Sequence, residues 1–236
     1  MKVKLFKKPK GPIIVEGFPG FGLIGTITTE FLIEQLKAEL IGYIKLDEIP
    51  AMVAIHDSKV VNPIGVFYDE KNNIVIFHVV TSVQNIEWQL AEAISKLAAE
   101  LEAKEIISLE GVATPGGVEG EAKTFFYAND DKNIKKFEDS KIEKLKEGII
   151  IGVTGALLLE ENIPVSCVFV ETSSGMPDSK ASAEVVKALD KYLNLDIDPD
   201  PLLEQAKKFE DKLQKILEQT KHATNEKDKK ALSYVG

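Results

Sequence analysis

Arginine is missing from this chain altogether: all 29 basic residues, in a length of 236, are lysine. Planar guanidinium forks that grip phosphate or guanine through two parallel bonds are therefore excluded. The 38 acidic residues outnumber the lysines and leave a formal net charge of −9. A field of that sign repels phosphate backbones and anionic lipid, so neither nucleic acid nor a membrane surface is an expected partner. Cysteine occurs once, at Cys167, which leaves no intramolecular disulfide. Set within Val165-Ser166-Cys167-Val168-Phe169-Val170, it reads as a buried, inert thiol. The histidines His56, His78 and His222 show no metal-ligand spacing, and each reads as a surface or satisfied core residue. No apolar run is long enough to cross a bilayer, and Met1 to Lys8 lacks the uninterrupted apolar segment of a secretory signal. The expected compartment is the cytoplasm.

Glycine, by contrast, is concentrated. Gly17-Phe18-Pro19-Gly20-Phe21-Gly22-Leu23-Ile24-Gly25 follows the apolar run Pro12-Ile13-Ile14-Val15 and precedes a helical pattern. A strand that turns sharply into a helix with backbone close by needs residues without Cβ sterics. Gly20, Gly22 and Gly25 also fit the dinucleotide fingerprint, with Asp47 where a ribose-binding acid would stand. The context fails, because Ile49-Pro50-Ala51-Met52-Val53-Ala54-Ile55-His56 continues as a β-rich stretch where a helix is required. Gly17, Phe18, Pro19, Gly20, Gly22 and Gly25 are read as a structural loop, and no cofactor is expected.

With 44% apolar and 28% charged residues, the chain can bury one sizeable core and an appendage. Helix is expected from Gly25 to Leu40, strands at Tyr43–Leu46 and Ala51–His56, and a hairpin of Ile64–Tyr68 with Ile74–Val80 around Asp69-Glu70-Lys71-Asn72-Asn73. Asn85 reads as the N-cap of a helix reaching Ala103, with Trp88, Ala91, Leu97 and Leu101 near one face. Ile106–Leu109 reads as a strand and Thr114–Gly120 as a mobile loop; a polar helix spans Asn133–Lys146. Further on, a strand at Gly148–Val153, a helix to Glu161, a strand from Pro164 to Val170 and a helix at Asp178–Leu193 follow. Repeated β-then-α order implies an α/β fold with a mainly parallel sheet.

Asp196-Ile197-Asp198-Pro199-Asp200-Pro201 stops one helix and caps the next. This divides the chain into an α/β core, 1–195, and a C-terminal helix with a flexible tail, 196–236. In the helix Leu202, Ala206, Phe209, Leu213 and Ile216 recur at heptad spacing. Such a stripe either meets a partner or packs back on its own domain. Lys221–Gly236 is polar apart from Leu232, Tyr234 and Val235.

Glu16, Glu110 and Glu171 each close an expected strand, at the edge where open α/β sheets form their ligand crevice. Converging carboxylates can hold a metal or exchange protons. They can equally accept hydrogen bonds from loop backbone and fix the glycine turns in shape, and that second reading is adopted here. No catalytic or metal site is assigned.

Taken together, the glycine stretch, Ile49-Pro50-Ala51, Ser108-Leu109-Glu110-Gly111, Gly152-Val153-Thr154-Gly155-Ala156-Leu157-Leu158, and Glu171-Thr172 followed by Asp178-x-x-Ala181 resemble the archaeal members of the proteasome assembly chaperone family, second chaperone type. The resemblance runs from about residue 10 to 220. It implies an α/β/α three-layer sandwich, nucleoside-phosphorylase-like, with a C-terminal helical extension. It also implies a non-enzymatic homo-oligomer that binds proteins without ATP, the proteasome α-ring or its subunits among them. Relatives of this kind dock through a tail ending in a hydrophobic residue, tyrosine and any residue. Here the chain ends Leu232-Ser233-Tyr234-Val235-Gly236, so the tyrosine is third from last and Ser233 replaces the hydrophobic residue. The expected partner-binding residues are Leu202, Ala206, Phe209, Leu213, Ile216, Leu232, Tyr234, Val235 and Gly236. Two competing readings are a scaffold whose helices bundle with another small helical protein, and an enzyme or small-ligand protein using the three glutamates.

Overall fold

Strands rich in Ile, Val and Phe, apolar on both faces, need helices above and below them, and this requirement sets the layering. The computed structural model describes residues 1–46, 53–56, 58–113, 120–160, 162–172, 176–204 and 214–215. Asp47, Pro50, Ala206, Phe209, Leu213, Ile216, the tail residues and most of Thr114–Gly120 lie outside them. In chain order the elements are β1 (Lys2–Leu5), β2 (Ile13–Gly17), α1 (Ile24–Leu36), β3 (Glu39–Lys45), β4 (Ala54–His56), β5 (Lys59–Val61), β6 (Ile64–Asp69) and β7 (Ile74–Val79). There follow α2 (Glu87–Glu100), β8 (Glu105–Ala113), β9 (Thr124–Ala128), α3 (Asp131–Asp139), β10 (Glu143–Lys144), α4 (Val153–Leu157), β11 (Val165–Thr172) and α5 (Ser179–Leu193).

Nine strands form one sheet in the order β1-β3-β6-β7-β2-β8-β11-β9-β10, and β4 with β5 makes a separate hairpin. The centre, β7-β2-β8-β11, is parallel throughout. Antiparallel pairs flank it, β6, β3 and β1 on one side and β9 on the other, with β10 parallel to β9 at the edge. The sheet is thus mixed, with the parallel order confined to the strands that crossover helices connect.

Alternation along each central strand sends side chains to two cores. Ile14, Ile106 and Val165 pack under Leu90, Ile94 and Leu97 of α2 and Leu157 of α4. Their neighbours Val15, Ile107 and Val168 pack under Ile24 and Leu32 of α1 and Val185 and Leu189 of α5. Helices therefore cover both faces, giving the α/β/α sandwich. On the outer side of α1 and α5 a third cluster joins Leu23, Ile27, Phe31, Ala183, Val186 and Leu202.

Several expected elements shift. No strand occupies 148–153: the chain reaches Gly152 without a ladder partner and α4 starts at Val153. A β-branched run becomes a strand only where a neighbour offers hydrogen bonds, and the preceding edge strand β10 pairs over two residues. β1 and β9 form where no strand was expected, and the polar helix α3 ends at Asp139, capped at its start by the Asp130 side chain, which accepts from the N–H groups of Lys132 and Asn133. α1 stops at Leu36, so Glu39 and Leu40 belong to β3. Asn85 is not the N-cap of α2; it has φ 70°, and Ile86 holds the cap position. Trp88 is exposed, leaving Leu90, Ala91, Ile94 and Leu97 as the buried face.

Candidate functional site

The carboxyl ends of β2, β8 and β11 meet at the centre of the sheet, and the glycine stretch is folded over them. Gly17 and Gly25 press backbone to backbone: a Cβ on Gly25 would stand 2.7 Å from the Gly17 Cα and 2.8 Å from the Leu109 carbonyl oxygen. Gly22 has φ 64°, and a Cβ there would stand 2.8 Å from the Thr172 hydroxyl. The left-handed turn and the close approach together demand glycine. Leu23 follows at φ 51° and Ile24 opens α1. Phe18 is buried, whereas Phe21 remains half exposed. The loop thus packs against β2, β8 and β11 through its own backbone.

Asp178 pins that loop to the last helix. Its backbone N–H donates to the Gly22 carbonyl at 2.9 Å, one carboxylate oxygen accepts from the Ala181 N–H at 3.0 Å, and the other accepts from the Thr172 hydroxyl at 2.9 Å. One side chain therefore caps α5 and ties it to β11, while its own main chain holds the glycine turn.

Register places a polar row beneath the loop. Glu16 pairs with Ser108 across β2 and β8, and Ser108 pairs with Cys167 across β8 and β11. Ser108 donates its hydroxyl to Oε1 of Glu16. Oε2 of Glu16 is buried without a hydrogen-bond partner. Burial, with Glu110 adding repulsion, pushes the Glu16 carboxyl well above its ordinary value and favours its neutral form. Burial likewise pushes the Cys167 thiol up, aided by Glu16 and Glu110, and makes it inert.

Glu110, two residues further along β8 on the same face, accepts from the Thr154 hydroxyl at 2.7 Å. Burial pushes its carboxyl to about 7, against the pull of that hydrogen bond. The structure thus brings Glu16 and Glu110 together. Glu171 stays apart, accepting from the Lys123 N–H at 3.2 Å on the rim. Among the described residues no cluster of His, Cys, Asp and Glu is arranged to hold a metal ion, and no helix is long and apolar enough to cross a membrane.

Ser108, Thr154 and Asp178 carry roles that sequence reasoning did not give them. Ser108 and Thr154 act through strand register and tertiary contact, and a sequence carries no local sign of either. The signal for Asp178 was present, since an aspartate directly before an alanine-rich helix reads as a cap. Of the heptad residues, Leu202 is fully buried in the third cluster. It anchors the chain to α1 and α5 and offers no surface to a partner, which corrects its expected role. His78 is a satisfied core histidine: Nδ1 meets the Thr29 hydroxyl at 2.9 Å and Nε2 meets Glu30 at 2.7 Å.

Residues 14–217, the span that contains this whole edge, match the PAC2 family. The chain belongs to the PAC2 family. An uncharacterized protein of Methanocaldococcus jannaschii is 29% identical over 214 residues, covering 89% of this chain and 87% of the relative. The crystal structure of Pyrococcus furiosus PbaA, described as an archaeal homolog of proteasome-assembly chaperone, is similar with TM-score 0.84 and 30% identity over 94% of this chain and 100% of that one. P. furiosus PbaB, described as an archaeal proteasome activator, superposes with TM-score 0.75 at 25% identity over 91% of this chain and 98% of its own. The PAC2 assignment agrees with the resemblance carried by the glycine stretch and the later motifs.

Proposed function

We propose that this PAC2 protein is an ATP-independent, homo-oligomeric protein-binding protein of the proteasome-assembly-chaperone kind, whose C-terminal helix and tail engage the proteasome α-ring or its subunits. The observation that carries the reading is what remains accessible at the carboxyl edge. The glycine loop packs on its own strands, and the surrounding rim presents Phe21, Ile149, Ile151 and Met176, exposed by 48%, 92%, 71% and 55%. Large apolar side chains gathered on one rim mark a surface for another polypeptide. The printed descriptions of PbaA and PbaB as a chaperone homolog and a proteasome activator support the choice of partner.

In this reading Ala206, Phe209, Leu213 and Ile216 form the contact stripe, Leu232, Tyr234, Val235 and Gly236 form the docking tip, and Leu202 roots the helix on the core. Several tails on one oligomer convert weak single contacts into useful avidity. The buried carboxyls serve to shape the edge, and turnover forms no part of the proposal. Deleting residues 221–236 tests it: capture of purified proteasome α-ring should be lost while circular dichroism of the core is unchanged. Undiminished capture overturns the tail's role, and a monomer in light scattering overturns the oligomer.

A further inference from the structure

Beside the glycine loop, between the end of β8 and the run after β10, lies a cleft of about 380 Å3. Among the described residues, Phe21, Ile149 and Ile151 line it together with two charged residues, Glu110 and Glu147, and no lysine. The cleft is apolar with a negative floor, which selects a cationic group on a greasy stem. The Thr154 hydroxyl takes one acceptor site on Oε1 of Glu110, and Oε2 lies 2.9 Å from where a Cβ on Gly20 would stand. A compact ammonium on a flexible stem needs only one of the remaining acceptor sites. Ile149 and Ile151 sit two apart on backbone that joins no sheet, and both side chains are exposed, so another polypeptide segment can cover them.

We propose that this cleft docks an extended segment of a partner polypeptide in which a lysine stands between aliphatic residues. The lysine ammonium reaches Glu110, its methylene stem lies along the half-exposed Phe21, and the aliphatic neighbours cover Ile149 and Ile151. The inference rests on the protein-binding reading above and adds a second grip, separate from the tail. It also makes the grip sensitive to protons. Among the described residues the titratable groups coupled to Glu110 are Glu16 from β2 and Cys167 from β11, both raised by burial, and Glu147 lines the same cleft. Glu110 therefore changes charge near neutrality, and docking strengthens as the pH rises through about 7.

The test uses the full chain and a fluorescent acetylated peptide amide with the core Ile-Lys-Ile, read by anisotropy at several pH values. Expected are saturable binding that tightens as the pH is raised, a loss of at least about tenfold in affinity for Glu110→Gln, and a comparable loss when norleucine replaces the peptide lysine. Absence of binding, equal binding by Glu110→Gln, or indifference to the peptide substitution overturns the inference. Should Glu110→Gln lose its fold by circular dichroism, Ile149→Asp and Ile151→Asp decide, since both side chains are exposed and either change should abolish binding. If these variants leave capture of the α-ring intact while deletion of 221–236 abolishes it, the protein-binding reading stands and the cleft inference falls.

Discussion

Gly17 at the end of β2 and Gly25 in the first turn of α1 touch through their backbones, with no space between them for a methyl group. The strand-to-helix turn closes only because both residues lack a side chain. Gly25→Ala should therefore cost more than about 3 kcal/mol, as overpacking against backbone that cannot move. Gly148→Ala, which meets the mobile end of Leu145, should cost less than about 1 kcal/mol. Chemical denaturation of both variants checks the contrast; similar losses would remove the argument.

Glu110 links stability to pH. Its folded value, about 7, lies above the ordinary 4.5, so the folded state holds the proton more tightly than the unfolded chain. That contribution is complete below about pH 4.5 and is lost as the pH rises through about 7, a change on the order of 3 kcal/mol. Glu16, raised in the same direction, adds a loss of the same sign. Glu110→Gln should raise the melting temperature at pH 8 and leave it unchanged at pH 4. A variant that melts lower than wild type at pH 8 contradicts this.

At the opposite end of β8, the Tyr192 hydroxyl lies 2.9 Å from both oxygens of buried Glu105, which also accepts from Ser166. Tyr192→Phe removes a donor from a carboxyl that burial already raises. The expected loss is about 1–3 kcal/mol. Urea titration at neutral pH measures it.

Phe137 of α3 is stacked between Phe126 and Tyr192, with ring centroids 4.7 Å and 3.7 Å away. No part of its side chain reaches solvent. Phe137→Ala should cost about 3–5 kcal/mol and release α3 from the sheet. Hydrogen exchange should then accelerate in α3 before the rest of the fold. Uniform acceleration would show that α3 does not dock as a separate unit.

The exposed isoleucines predict the opposite behaviour. Ile149→Asp and Ile151→Asp should change stability by less than about 0.5 kcal/mol, because neither side chain is buried. Both should reduce partner capture. Calorimetry and pull-down on the same preparations separate the two effects.

The sequence reveals those parts of the fold whose cause is local. Glycine density marks the β2 turn, the Asp69 to Asn73 run marks the hairpin of β6 and β7, and Asp178 marks the start of α5. What stays hidden depends on partners distant in the chain. Gly148 to Ile151 has strand composition and lacks a neighbour to pair with. Trp88 breaks the helical stripe it was expected to join, since its ring points to solvent while Leu90 and Ile94 fill the core. The glutamates at the strand ends were legible as a group. That Glu16 and Glu110 meet while Glu171 turns to Lys123 follows from register and loop path, which no spacing along the chain encodes.

Asp178 grips α5, β11 and the glycine turn at once. Three separate pieces of chain thus share one small side chain and its amide, and losing that carboxylate undoes a helix start and a strand tie in the same stroke.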